Sequence, residues 1–147
     1  MELILFIGIQ AAGKSSFYRE MFFRTHVRLN LDMLRTRHRE QILVEACLAG
    51  KTKFVVDNTN LSRDLRARFI VPAKAAGFQV IGYFFQSDVD DSLRRNADRP
   101  DDEFVPEIAI YNAASQLQPP TIAEGFDKLF TVGLASDNQF IVRKRKK

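Results

Sequence analysis

Apolar positions in this chain fall into short unbroken runs separated by longer amphipathic stretches. Leu3-Ile4-Leu5-Phe6-Ile7 is the first run, the pattern of a strand buried on both faces. A glycine-bearing turn follows, and Phe17, Tyr18, Met21 and Phe22 then recur at helical spacing. Residues 27–31 read as a second strand, with Asp32 placed to cap the next helix. That helix is expected to carry Ile42, Leu43, Ala46 and Cys47 on one face and to stop near Gly50. Phe54-Val55-Val56 is a third buried run, ending at Asp57. Ser62 is expected to cap a helix that runs to about Gly77, kinked at Pro72, which has no N–H to donate. Residues 80–85 form a fourth strand, and Arg94 to Arg99 lie in a short polar helical stretch. A further helix is expected near residues 105–115, then two late strands at 129–132 and 139–142 that suit a hairpin.

Strands that alternate with helices predict an α/β fold of three layers, a mainly parallel sheet covered on both faces. Ligands bind such sheets at the carboxyl ends of the strands. Gly8, Asp32, Asp57 and Gln86 each follow a strand, so the four are expected to converge on one crevice. No repeat or low-complexity segment interrupts the chain, which reads as one domain over residues 1–142 with a basic C-terminal tail at 143–147.

Gly8-Ile9-Gln10-Ala11-Ala12-Gly13-Lys14-Ser15 has the G-x-x-x-x-G-K-[ST] form of a P-loop. Gly8 and Gly13 let the backbone curl until successive N–H groups, with those of Ala11, Ala12 and Ser16, point at phosphate oxygens. The helix that opens at Lys14 aims its positive dipole end at the same anion. Lys14 is expected to reach the β- and γ-phosphates of ATP, and Ser15 to place its hydroxyl on Mg²⁺. Asp57 stands at a neighbouring strand end, where a carboxylate can hold Mg²⁺ through water; by composition alone it reads first as a turn residue, and the P-loop beside it turns the reading to the metal.

Asp32 and Arg35 lie three apart on a nascent helix and share a face. A carboxylate there can deprotonate an acceptor hydroxyl, and the guanidinium can clamp a phosphate. Taken locally, the same pair is an N-cap with an ion pair. Arg95 and Arg99 lie four apart, placed to swing over a transferring phosphate unless Asp98 and Asp101 neutralise them. Asp88-Val89-Asp90 has the look of an acyl-phosphate-forming pair, but it opens a helix, where acidic residues complement the dipole.

Composition narrows the class further. With 46% apolar and 27% charged residues, the chain has the balance of an ordinary globular protein. No apolar run approaches the roughly 18 residues of a membrane span, and the opening stretch lacks the basic start of a signal peptide. Cys47 has no second cysteine to pair with, which suits a reducing cytoplasm, and with only His26 and His38 beside it a structural zinc site is excluded. His38, one turn beyond Arg35, is placed either to line an acceptor pocket or simply on the surface. Much of the +4 net charge sits in residues 143–147, a pattern that serves nucleic-acid contact or solubility.

Together, GIQAAGKSS at 8–16, LNLDMLR at 29–35, VVDNTNL at 55–61 and RRNADR at 94–99 resemble the polynucleotide 5′-hydroxyl kinase group of P-loop phosphotransferases. The resemblance spans roughly residues 3–132 and includes Pro119-Pro120 and Glu124-Gly125-Phe126-Asp127. It implies a P-loop NTPase fold with a short helical lid, and ATP and Mg²⁺ as cofactors. It also implies Asp32 as general base on the acceptor hydroxyl and Arg35 as the contact to the transferred phosphate. Arg95 and Arg99 become the lid arginines, and Asp57, Thr59 and Asn60 the strand-end support. Leu31 departs from phage-type relatives, which carry an arginine just before the catalytic Asp, and 147 residues leave no room for a phosphatase domain. The acceptors this implies are a 5′-hydroxyl polynucleotide or, on the same scaffold, a small metabolite; an ATP-binding switch without an acceptor is the third class.

Overall fold

The structure, a computed structural model, describes residues 1–145. At its centre is β1 (Glu2–Ile7), flanked by β3 (Phe54–Val56) and β4 (Gln79–Phe85). β2 (Val27–Leu29) lies outside β3, while β5 (Lys128–Leu134) and β6 (Phe140–Lys144) extend the other side. The order is β2-β3-β1-β4-β5-β6, parallel throughout except for the antiparallel β5–β6 pair. The expected α/β class and the late hairpin are therefore present. β6 runs through Lys144, so Arg143 and Lys144 belong to the sheet, not to a tail; Lys146 and Lys147 lie outside the described residues.

Period-two alternation in β1 builds the layers. Leu3, Leu5 and Ile7 face one core with Val44 and Cys47 of α3 (Arg37–Ala49) and Phe69, Ile70 and Ala73 of α4 (Arg63–Ala75). Ile4 and Phe6 face the other core with Phe17 and Tyr18 of α1 (Lys14–Met21). That second core is strongly aromatic, with Phe6 and Phe17 edge to face at 5.8 Å and Phe17 against Phe140 at 5.1 Å. Met21, expected among its apolar contacts, is exposed.

Two boundaries differ from expectation for local reasons. β2 stops at Leu29 because the side chain of Asn30 accepts from Met33 N and caps the short helix α2 (Leu31–Leu34); Asp32 is in its first turn and is not the cap. α3 is rotated from the expected face. Its inward positions are Glu40, Val44 and Cys47, a helical i, i+4, i+7 stripe, while Ile42 and Leu43 are exposed. Glu40 is drawn inward by Asn58 Nδ2 at 2.9 Å and Arg37 Nη1 at 2.8 Å. Ser62 caps α4 as expected, accepting from Leu65 N, and Pro72 lies within that helix.

One buried network ties the layers to the strand ends. Arg66, fully buried in α4, forks onto Glu124 at 2.7 and 3.0 Å and donates to the carbonyls of Asn60 and Leu61. Asn60 in turn donates from Nδ2 to Phe6 O at 2.7 Å, just before the phosphate cradle. Arg66→Met is expected to destabilise the fold by about 3–5 kcal/mol, since it strands the Glu124 carboxylate. A urea-unfolding midpoint unchanged from wild type would contradict that.

Candidate active site

The cradle lies between β1 and α1, and its curl comes from two left-handed residues, Ala11 at φ 58° and Gly13 at φ 96°. Gly13 also lies against Phe140, whose ring would sit 3.1 Å from an added Cβ, and Gly8 lies 3.0 Å from Phe85 by the same measure. Gly13 is thus favoured by its left-handed backbone and crowded by the Phe140 ring, whereas Gly8 is confined by space alone, against Phe85. Lys14 folds back into the loop, donating from Nζ to Gly8 O at 2.8 Å and to Ile9 O at 2.6 Å. Burial lowers its pKa from 10.5 to about 8, with Asp57 opposing the shift, Arg99 adding to it and Asp32 opposing it.

Those influences locate the neighbours: Asp57, Arg99 and Asp32 all act on the Lys14 ammonium. Asp57, 2% exposed at the end of β3, accepts from Ser15 Oγ at 3.2 Å. A hydroxyl and a buried carboxylate are hard oxygen donors, the type Mg²⁺ takes. Among the described residues no three His, Cys, Asp or Glu side chains cluster into a metal cage, so a cation at Ser15 and Asp57 would draw its other ligands from phosphate and water. The pair therefore fits Mg²⁺.

Asparagines fix the α2 segment to this centre. Asn30 Nδ2 donates to Asp57 O at 2.6 Å, and Leu31 N donates to Asn58 Oδ1 at 2.8 Å. The α2 segment is thereby tied to the end of β3. Asp32 and Arg35 are both exposed and form no ion pair with each other among the described residues. Arg35, at the end of α2, has φ 78° and ψ −37°, a conformation that costs a non-glycine residue about 1–3 kcal/mol.

The lid comprises α5 (Val89–Ala97) and α6 (Glu107–Gln116). Arg95 reaches the cradle, donating from Nη1 to Ala11 O and to Ser87 Oγ, both at 3.1 Å. Arg99 falls past the end of α5 and not on its face. It donates to Glu103 O at 3.2 Å, holding the loop between the lid helices. Among the described residues Asp98 and Asp101 pair with neither arginine, and Asp91 pairs with the exposed Arg94. Asp88 accepts from Asp91 N as the cap of α5. Buried Asn96 pins Val105 through both of its backbone groups, at 2.8 and 3.0 Å. Ser16 is exposed, Ala11 and Ala12 are buried, Thr59 gives its carbonyl to Gly8 N at 3.0 Å, and His38 is exposed on α3. Gln86 follows β4 and lines a cleft of about 470 Å³ with Ile9, Phe84, Phe85, Asp88 and Leu117.

A family model described as an AAA domain matches residues 3–120. The chain belongs to that family. This AAA domain is 26% identical over 129 residues to the bifunctional polynucleotide phosphatase/kinase of Schizosaccharomyces pombe, a match covering 85% of the chain. The chain spans about a third, 32%, of that relative's length. Among solved structures, Kti12 of Chaetomium thermophilum in complex with ADP-AlF3 aligns at a TM-score of 0.68 with 16% identity, over 89% of this chain and 88% of that one. A gluconokinase from Sinorhizobium meliloti aligns at 0.61 with 18% identity, over 92% and 83%. The fold is that of P-loop kinases, as the motif spacing implied. No helix among the described residues is long and apolar enough to cross a membrane.

Sequence reasoning missed Arg28, Asn30, Asn58, Glu40 and Arg66. Asn30 and Asn58 lie within the 29–35 and 55–61 blocks without a role of their own, and Arg28, Glu40 and Arg66 belong to no short motif. The one available signal was polarity at positions where a buried strand or helix face calls for an apolar residue, as with Arg28 between Val27 and Leu29.

Proposed function

We propose that this AAA domain is an ATP- and Mg²⁺-dependent phosphotransferase whose acceptor is the 5′-hydroxyl of a polynucleotide. The observation that carries the reading is the asparagine clamp: Asn30 and Asn58 tie α2, which bears the exposed Asp32, to the end of β3 at Asp57. The likeness to a polynucleotide phosphatase/kinase supplies the acceptor class.

In this reading the backbone of residues 8–15 and Lys14 hold the β- and γ-phosphates. Ser15 and Asp57 would hold Mg²⁺, which when bound would supply neutralisation of the phosphate charge. Asp32 accepts the proton of the acceptor hydroxyl as its oxygen bonds to the γ-phosphorus. The bond from that phosphorus to the β–γ bridging oxygen breaks, and ADP leaves with the electron pair. Arg35 orients the acceptor, while Arg95 and Arg99 stabilise the charge on the transferring group. Cys47, a buried free thiol, suits a reducing compartment such as the cytoplasm.

A second reading, a kinase for a small metabolite, has in its favour an open cleft of about 470 Å³ that meets the cradle at Ile9. The gluconokinase likeness lies on its side. Labelled ATP with a 5′-hydroxyl oligonucleotide separates the two. Transfer of label to the oligonucleotide is expected. No transfer at any Mg²⁺ level, alongside a polyol or other metabolite that is phosphorylated, would move the assignment to the second reading.

A further inference from the structure

Arg28 lies at the centre of the cation site. It projects from β2 toward α1, opposite Leu29, which packs into the other core. Its Nε donates to Asp57 Oδ2 at 2.8 Å, and its Nη2 donates to Ser15 Oγ at 3.1 Å. Ser15 Oγ and Asp57 Oδ2 are themselves 3.2 Å apart, so the three groups close a triangle. The guanidinium lies 5.9 Å from the centre of the Tyr18 ring, which holds it from the side. Arg28 thus engages both oxygens that fit Mg²⁺, and its side chain is only 26% exposed.

A guanidinium stays protonated at any working pH and offers donors in a rigid fork. Arg28 pairs with Asp57 at 2.8 Å, and the Lys14 ammonium, seated in the neighbouring loop on Gly8 O and Ile9 O, adds a second cationic group close to the same carboxylate. A bare divalent cation meets net repulsion there. A triphosphate reverses the sign of the site and gives Nη2 new acceptors while Nε keeps Asp57.

We propose that Arg28 is the resident counter-ion of the cation site, which excludes free Mg²⁺ and admits the metal only together with the nucleotide. This rests on the reading of Ser15 and Asp57 as the Mg²⁺ groups, but not on the identity of the acceptor. Arg28 is a positioning residue that sets the order in which metal and nucleotide enter.

The test uses the whole chain without nucleotide and Mn²⁺ as the probe, read by the loss of the free Mn²⁺ signal in electron paramagnetic resonance. Wild type is expected to bind Mn²⁺ weakly alone and strongly once a non-hydrolysable ATP analogue is added, read against the same Mn²⁺ and analogue without protein, because the triphosphate alone also binds the cation. Arg28→Gln is expected to gain affinity for Mn²⁺ alone by about tenfold or more, since a like charge within a few Å has been removed. Arg28→Gln with Asp57→Asn is expected to lose that gain, and Arg28→Lys to stay near wild type. A gain of binding cannot come from a chain that has lost the site. Any one of three results overturns the proposal: no gain in Arg28→Gln, a gain that survives Asp57→Asn, or wild type binding Mn²⁺ alone as tightly as with the analogue. If Mn²⁺ fails to bind even with the analogue, the metal assignment of Ser15 and Asp57 falls and takes Arg28 with it. Failure to phosphorylate an oligonucleotide leaves every one of these readings unchanged.

Discussion

Lys14→Met is expected to lower phosphotransfer by about a hundred- to a thousandfold, the usual effect of removing one charged donor from a developing phosphate charge. The same substitution should also stabilise the nucleotide-free protein at neutral pH. Both follow from the state of the ammonium. Burial lowers its pKa to about 8, and Asp57 only partly opposes this. The unfolded chain, with an ordinary lysine near 10.5, therefore binds more protons than the folded one between about pH 8 and 10.5. Keeping Lys14 charged costs folding stability below that window, and the cost is relieved as pH rises through it. The stability gap between Lys14→Met and wild type should accordingly shrink from pH 7 to pH 10, as read by urea unfolding. Nucleotide phosphates restore the charge. Calorimetry at pH 8 in buffers of different ionisation enthalpy should show uptake of about half a proton per ATP bound in wild type. None should be taken up by Lys14→Met; equal uptake in both would place the titrating group elsewhere.

That a lysine so placed could be located in advance reflects how local the P-loop is. Eight consecutive residues carry the turn, the charge and the start of α1, so the sequence pattern and the structure coincide there. The strands were legible for a similar reason: Leu3 to Ile7 and Phe54 to Val56 are apolar without interruption because both faces of the sheet are covered. Legibility failed where a side chain answers to a distant partner. Glu40 breaks the apolar stripe of α3, so the hydrophobic pattern points to Ile42 and Leu43, but Asn58 and Arg37 turn Glu40 inward. Asn30, one residue before Leu31, takes the cap that Asp32 was expected to fill, and that frees the Asp32 carboxylate. Arg28 reads as an ordinary polar strand residue until β2 is placed beside β3 and α1 is packed over it. The Glu40 and Arg28 misses turn on hydrogen bonds to residues far along the chain, whereas Asn30 takes a local cap. The phosphate cradle is written in one segment; the surroundings of α2 are assembled from three.

Asp32→Asn is expected to lower kcat by about 10²- to 10⁴-fold while ATP affinity stays within about twofold, the range for losing a positioned general base. The substitution keeps size and hydrogen-bonding capacity but removes the ability to take a proton. Asp32 influences Lys14 through space, and its influence is the smallest of the four acting there, so the phosphate cradle should scarcely register the change. Asn58→Ala provides the contrast. It leaves the carboxylate intact but removes the acceptor for Leu31 N at 2.8 Å and the donor to Glu40 at 2.9 Å, loosening α2 from β3. Its kcat should fall less, with KM for the acceptor rising, since position rather than chemistry is lost. Arg35 should respond with it, because a left-handed φ of 78° persists only where the surroundings impose it. If Asp32→Asn keeps full kcat, proton removal occurs at another group or the domain has no acceptor chemistry. If Asn58→Ala equals Asp32→Asn in kcat alone, Asp32 acts through the architecture of α2 and not as a base.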